Sequence, residues 1–335
     1  MANIDPNPDH IRNLMMGYQK TAALRAAVDL QVFTAIGSGA TSVEAIAPRC
    51  RASQRGIRIL CDYLVTEGLL EKANHTYALT ADSAAFLDEK SSHYLGGMLQ
   101  FLNAPRFWEA AIHLTETVRS GHTFLGQGIA GDETEEWVAF ARHMQPMAAG
   151  PSQFIAELVL ADHTPKKVLD IAAGHGLYGI AVAERAPSAE VVAQDWPKVL
   201  AVAEDNAKAA GVSARHHLLP GSAFQVDFGK GFDLVLVTNF LHHFDEPTCT
   251  NFLRKVRAAM EPNGRLVTLE FIPNEDRVTP PRAAAFSLNM LLQTPNGDAY
   301  PESDLFRMLN DAGFTSHKVV EVPHSPEKVI VSRVT

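Results

Sequence analysis

The sequence predicts an α/β protein: a doubly wound, mostly parallel sheet with an antiparallel last strand, preceded by a mainly α winged-helix segment. Three observations carry this. From Lys166 onward, short apolar runs of strand type alternate with stretches of helical period, which is the texture of a parallel sheet with crossover helices. Directly after the first run comes Gly174-x-Gly176-x-x-Gly179, a glycine turn of the kind that opens a helix at a nucleotide site. Between Thr41 and Leu79, two helical patterns and a short hairpin follow one another in the order of a winged helix.

Composition sets the outer limits. At roughly 150 residues per domain, 335 residues suit about two domains, each able to bury a core. With 46% hydrophobic and 20% charged residues, collagen-like, coiled-coil and disordered readings fall away. The net charge of -9 offers no field that would grip a phosphate backbone, so nucleic acid is not expected as a partner. The first residues, Met1 to Pro8, lack a basic and apolar leader, and no apolar run is long enough for a membrane span, so a cytoplasmic protein with no membrane partner is expected. Cys50, Cys61 and Cys249 are too scattered for a zinc or redox motif and read as buried or incidental thiols.

The first domain is placed at residues 1–90. From Ile11 to about Ile36, Leu14, Tyr18, Ala22, Leu24, Val28, Val32 and Phe33 recur at helical intervals, densely enough to predict one helix buried on more than one side. Thr41-Ser42 followed by Glu44 reads as a helix N-cap, and a second helix runs from about Ser53 to Gly68. Leu69 to Thr80 reads as two short strands around a polar turn. Winged helices often bind DNA, yet Arg49, Arg51, Arg55, Arg58 and Lys72 are matched here by Glu44, Asp62, Glu67, Glu71 and Asp82. Zero local charge favours a winged helix used for subunit packing.

Residues 91–150 read as a helical connector that contributes to an acceptor pocket, with Phe101, Phe107, Trp108, Trp137, Phe140 and Met144, interrupted by a Gly-rich stretch from Gly121 to Gly131. Residues 151–335 form the nucleotide-binding domain. Its strands are expected at Val168, Glu190, His216, Phe232, Gly264, Lys318 and Lys328, with helices at 177–186, 198–210, 248–260 and 302–312. Pro323 to Glu327 is too short for a helical crossover, so the last two strands should be antiparallel.

Asp195 ends the second of these strands, 21 residues beyond Gly174, where a carboxylate can hold ribose hydroxyls. Asp170, four residues before Gly174, would repel a pyrophosphate but suits a cationic ligand. Only one glycine fingerprint is present, and the sheet ends in a short antiparallel return where a dinucleotide fold would continue with a second mononucleotide half. S-adenosylmethionine, which carries a sulfonium, an ammonium and a ribose, fits better than a nicotinamide dinucleotide.

The stretch Asp170 to Gly179 resembles the first motif of class I S-adenosylmethionine-dependent methyltransferases, which have a Rossmann-like sheet. With Asp195-Trp196-Pro197, Asn239 to Phe244 and Glu270-Phe271, the chain is similar, from about Leu24 to Val334, to small-molecule O-methyltransferases with an N-terminal winged-helix dimerisation domain. That family includes plant caffeate and isoflavone enzymes, acetylserotonin O-methyltransferase and bacterial polyketide and phenazine methyltransferases. The resemblance implies a homodimer in secondary metabolism that methylates a small aromatic hydroxyl compound and releases S-adenosylhomocysteine, without a metal. It implies His242 as general base, because an imidazole within reach of a phenol can take its proton, and Glu270 as the acid that steers it. Gly174, Gly176, Asp170, Asp195, Trp196, Ser222, Ala223, Phe224 and Asn239 are the cofactor residues it implies. Ser222 stands where the family has the Asp that reads the adenine amine. Phe140, Met144, Phe286, Asn289, Met290 and Tyr300 are the acceptor residues. The chain departs from the pattern at His243 (Asp in the family), Phe244 (Trp) and Ala299 (a second Glu, here between Asp298 and Tyr300). A Tyr and a His near the methyl leave a ring carbon or nitrogen open as the acceptor atom, and a non-methylating or regulatory relative is a further alternative.

Overall fold

The computed structural model describes residues 7–126 and 135–334. Residues 1–6, residues 127–134, which include the rest of the Gly-rich stretch, and Thr335 lie outside the described residues. The chain forms two units that divide after Ala104. This differs from the expected boundaries at 90 and 150 for two reasons. Helix Gly96–Leu102 packs on helix Gly17–Asp29 and so stays with the first unit, and helix Gln145–Asp162 runs unbroken through residue 150.

In the first unit the expected single helix from Ile11 to Ile36 is three: Asp9–Met15, Gly17–Asp29 and Val32–Gly37. The last break falls at Gln31, whose φ of 56° is left-handed and cannot continue a helix. The apolar excess also divides. Val28, Val32 and Phe33 enter a core with Ile46, Ile57, Leu64 and Tyr77, whereas Leu14 (65%), Met15 (70%) and Tyr18 (58%) remain exposed. Ser42 caps helix Val43–Arg49 by accepting from the Ala45 N–H at 3.3 Å, and Ser53 caps helix Gln54–Thr66 by accepting from the Gly56 N–H at 3.0 Å. Strands β1 (Leu70–Ala73) and β2 (Thr76–Leu79) form the antiparallel wing. Asn74 and His75 both take positive φ there, giving the turn whose twist matches a two-residue hairpin.

The second unit holds seven strands: β3 (Lys167–Ile171), β4 (Glu190–Asp195), β5 (His216–Pro220), β6 (Phe232–Thr238), β7 (Met260–Glu270), β8 (Phe314–Glu321) and β9 (Lys328–Val334). Their order is β5-β4-β3-β6-β7-β9-β8, parallel except for β9, which runs antiparallel to both of its neighbours. Period two divides each central strand between two layers. Leu169, Ile171, Val235 and Val237 face a core with Phe252, Val256, Leu305 and Leu309, while Val168, Leu234 and Leu236 face one with Ile155, Val159, Ile180 and Val182. The chain winds outward from β3 in one direction and from β6 in the other. The carboxyl ends of these two strands therefore flank the crevice where a doubly wound sheet takes its ligand.

Candidate active site

On the β3 and β4 side, one carboxylate organises the glycine turn. Asp195 Oδ2 accepts from the Gly174 N–H at 2.8 Å, and its Oδ1 accepts from the Trp196 N–H at 2.7 Å. The glycines of the turn serve different ends. Gly174 has φ +56° and a Cβ there would meet nothing closer than the Ala172 carbonyl at 3.9 Å, so this is open backbone that a ligand can approach. A Cβ on Gly176 would lie 2.9 Å from that of Ala203, and one on Gly179 2.8 Å from Val191, so those two are small for packing.

Asp170 is fully buried beneath the same turn, its Oδ2 accepting from the Gly179 N–H at 2.9 Å and its Oδ1 without a partner. Burial, only partly offset by that hydrogen bond, pushes its carboxyl up to about 7. His175 is held neutral by burial, with its pKa near 4, and its Nδ1 accepts from the Leu177 N–H at 3.2 Å. Trp196 packs with Trp137, Val138 and Val199. Ser222 Oγ accepts locally from the Phe224 N–H at 3.3 Å, and the half-open Phe224 joins Phe240, Phe244 and Phe252 in a ring cluster. Ala223 lies in the core below it.

On the β6 and β7 side, Asn239 leaves β6 at φ +53° and turns the chain into the short 3-10 turn Leu241–His243. Glu270, the last residue of β7, holds that turn. Its Oε1 accepts from the Phe240 and Leu241 N–H groups at 3.1 and 2.8 Å, and its Oε2 accepts from His242 Nδ1 at 2.5 Å. His242 and Glu270 are only 4% and 3% exposed. Because a carboxylate accepts, this pairing selects the tautomer whose Nδ1–H points at Glu270. Phe286 meets the imidazole edge to face at 4.8 Å between ring centres and stacks on Phe271 at 3.8 Å. His243, held neutral by burial and by its neighbour His242, contacts Trp137 at 5.5 Å, and Trp137 in turn contacts Phe140 at 5.7 Å.

The structure thus gathers His242, Glu270 and Phe286, and separately Asp195 and Gly174. Other expected residues lie elsewhere. Tyr300 is buried in the core and its hydroxyl donates to the Phe244 carbonyl at 2.6 Å, so it supports the turn and has no free phenol for an acceptor. Asp298 pairs with Arg277 at 3.0 Å, and Ala299 is fully buried. Met290 is buried with its carbonyl accepting from Thr294, Asn289 faces outward on the same helix, and Met144 is half-buried at the junction of two helices. Trp137, expected only as part of the helical connector, sits three residues before Phe140 and therefore on the same helix face. Glu327 gave no sequence signal at all. It is a buried carboxyl raised by burial, accepting from Ser325 Oγ at 2.8 Å and lying within the electrostatic reach of His242 and Glu270. Among the described residues no group of side chains could hold a metal ion, and no helix is long and apolar enough to cross a membrane.

The O-methyltransferase domain family matches residues 123–315, and the O-methyltransferase dimerisation domain matches residues 12–89. The 3-hydroxy-5-methyl-1-naphthoate 3-O-methyltransferase of Streptomyces sahachiroi is 26% identical over 323 residues, covering 93% of this chain and 91% of that protein. A candidate O-methyltransferase of solved structure from Nostoc punctiforme is 47% identical, with a TM-score of 0.94 over 98% of this chain and 99% of that one. Human N-acetylserotonin methyltransferase, solved in complex with S-adenosylmethionine, shares the fold, with a TM-score of 0.86 at 21% identity over 100% of this chain and 99% of that one. The domain match spans more than half of the sequence and includes the whole His242 and Glu270 arrangement, so this chain belongs to the O-methyltransferase family.

Proposed function

We propose that the protein transfers a methyl group from S-adenosylmethionine to a hydroxyl of a small aromatic compound, with His242 as general base. The observation that carries this is the buried pair of His242 Nδ1 and Glu270 Oε2 at 2.5 Å, at the carboxyl edge of the sheet and walled by Phe286 and Phe271. The residues fit the cofactor on several counts. Gly174 leaves open backbone, Asp195 brings a carboxylate to the end of β4 beside the glycine turn, and Trp196 and Phe224 offer apolar surface for a purine. Among the described residues the Oδ1 atoms of Asp170 and Asn239 are buried without hydrogen-bond partners and suit a donor or a cation. When bound, the cofactor supplies a methyl carbon already activated by its sulfonium.

The protein then has two tasks, to orient the acceptor and to take its proton. Glu270 fixes the tautomer, so that Nε2 of His242 is the atom that accepts the phenolic proton, and the carboxylate stabilises the imidazolium that results. Phe286, with Phe140 and Trp137 beyond His243, supplies apolar ring surface around the two histidines that orients an aromatic ring and keeps water away. The alternative of a carbon or nitrogen acceptor leaned on Tyr300 and His243; the Tyr300 hydroxyl is committed to Phe244, while His243 stays beside the His242 ring and keeps that alternative as an outcome of the test below. The name of the Streptomyces relative gives a hydroxynaphthoate as its own acceptor, and an aromatic acceptor is the reading that fits this ring surface.

The exposed Leu14, Met15 and Tyr18 form an apolar surface that a second copy of the chain covers, through the region matched by the dimerisation domain. Light scattering should give twice the 36.5 kDa chain mass, and Leu14→Asp should shift it toward the monomer. The function itself is tested by screening phenols, quinones and N-heterocycles with labelled S-adenosylmethionine and locating the label by mass spectrometry. A labelled aryl methyl ether is expected. Label on carbon or nitrogen, or no product from any acceptor, would overturn the assignment.

A further inference from the structure

The catalytic turn is held from a direction that the sequence does not announce. Glu270 fixes its amide side, and Cys249 Sγ donates to the Leu241 carbonyl at 3.2 Å. The loop Thr294–Tyr300 closes on the carbonyl side. Tyr300 donates to the Phe244 carbonyl at 2.6 Å. Gly297 lies flat against the turn, and a Cβ there would be 2.2 Å from the His242 carbonyl oxygen, 2.9 Å from the His243 carbonyl carbon and 2.6 Å from Thr294 Oγ1. Two of these atoms are backbone and cannot rotate away, while real Cβ atoms essentially never come within 3.0 Å of another heavy atom.

Gly297 is itself fixed. Its N–H donates to Thr294 Oγ1 at 2.9 Å, and that hydroxyl donates to the Met290 carbonyl at 2.7 Å. Met290 belongs to helix Phe286–Gln293, the same helix that sets Phe286 against the imidazole. One continuous path therefore runs from the wall that meets the His242 ring, through Thr294 and Gly297, to the backbone of the His242 turn.

We propose that Gly297 and Tyr300 are positioning residues for His242, which lock the general base in register with the Phe286 helix. The proposal rests on the O-methyl transfer reading above. A side chain at position 297 forces this loop and the His242 turn apart by on the order of 1 Å, and a misplacement of that size at the base costs about 100-fold in rate. Loss of the Tyr300 hydroxyl removes one hydrogen bond and costs less, about 2- to 10-fold.

The test is a cycle. Gly297→Ala should lower kcat about 100-fold while leaving S-adenosylhomocysteine affinity within a few-fold, and in a His242→Ala background it should change the residual turnover less than twofold. An equal loss in both backgrounds would show general damage and overturn the proposal, as would wild-type kcat in Gly297→Ala. Should that variant not fold, Tyr300→Phe and Thr294→Val carry the same cycle, with Thr294→Ser expected to restore kcat because it keeps the hydroxyl. A readout independent of turnover is the hydrogen-bonded imidazole N–H resonance, assigned by its loss in His242→Ala. It should shift in Gly297→Ala, and an unmoved signal refutes positioning. If the wild type methylates no acceptor and the resonance still moves, the assigned reaction fails while the positioning role stands.

Discussion

The two edges of the sheet crevice are built in different ways. At β3 and β4 a single turn, Gly174 to Gly179, is held by two carboxylates, Asp170 and Asp195, and by Ala203 and Asn206 of the helix that follows β4, so what shapes it lies within residues 170–206. At β6 and β7 the turn carrying His242 draws its restraints from Glu270, Cys249, Gly297 and Tyr300, the last of which reaches a carbonyl 56 residues away. A binding edge can be local because a ligand brings its own shape. A base must be held against a reacting atom to within a fraction of an ångström, so it needs restraints from several directions.

If this division of labour holds, substitutions on the two sides should separate rate from affinity. His242→Ala should have the largest effect, lowering kcat by about 10²- to 10⁴-fold with S-adenosylhomocysteine affinity nearly unchanged by calorimetry. The loss should shrink for more acidic phenols, and turnover within threefold of wild type would remove the base from the mechanism. Glu270→Gln should come next, on the order of 10- to 100-fold in kcat. Its amide nitrogen would face Nδ1, favour the opposite tautomer and leave Nε2 protonated. Asp195→Ala should invert the pattern, weakening S-adenosylhomocysteine binding by roughly 1 to 3 kcal/mol with little change in kcat at saturating cofactor. A kcat collapse in that variant would erase the distinction between the edges.

The smallest effect concerns Asp170. Its carboxyl is raised in the folded protein from 3.8 to about 7, so the folded state holds its proton more tightly than the unfolded chain does. The resulting stability is complete below about pH 4 and is lost as pH rises through about 7. Asp170→Asn keeps a group that can accept from Gly179 and removes the titration, so its melting temperature should fall less than that of the wild type across this window.

What the sequence discloses follows the same split. The alternation of strands and helices, the antiparallel return and the cap at Thr41-Ser42 were legible because period, turn chemistry and capping are local properties. Asp195 and the glycine turn were legible for the same reason. Letters alone do not separate Gly174, which leaves room for a ligand, from Gly176 and Gly179, which leave room for other parts of the protein. His242 and Glu270 were reached through resemblance, since no periodicity joins residues 28 apart. Tyr300 read as an acceptor residue because its neighbours in sequence suggested one. Its actual partner is a carbonyl 56 residues away, and nothing local encodes that. The break at Gln31 was missed because the apolar period continues across it.

The place of β9 bears on how the protein is made. It lies between β7 and β8 and is the last of the seven strands to leave the ribosome, with Lys328 opposite Glu270. Until then β7 has one edge of N–H and C=O groups without a partner, and β8 has no strand to join. The glycine turn and Asp195, emitted more than a hundred residues earlier, can close on their own. A nascent chain can therefore shape its binding edge well before the strand carrying the acid beside its base is sealed. A chain interrupted before β9 would leave an unguarded strand edge rather than a slow enzyme.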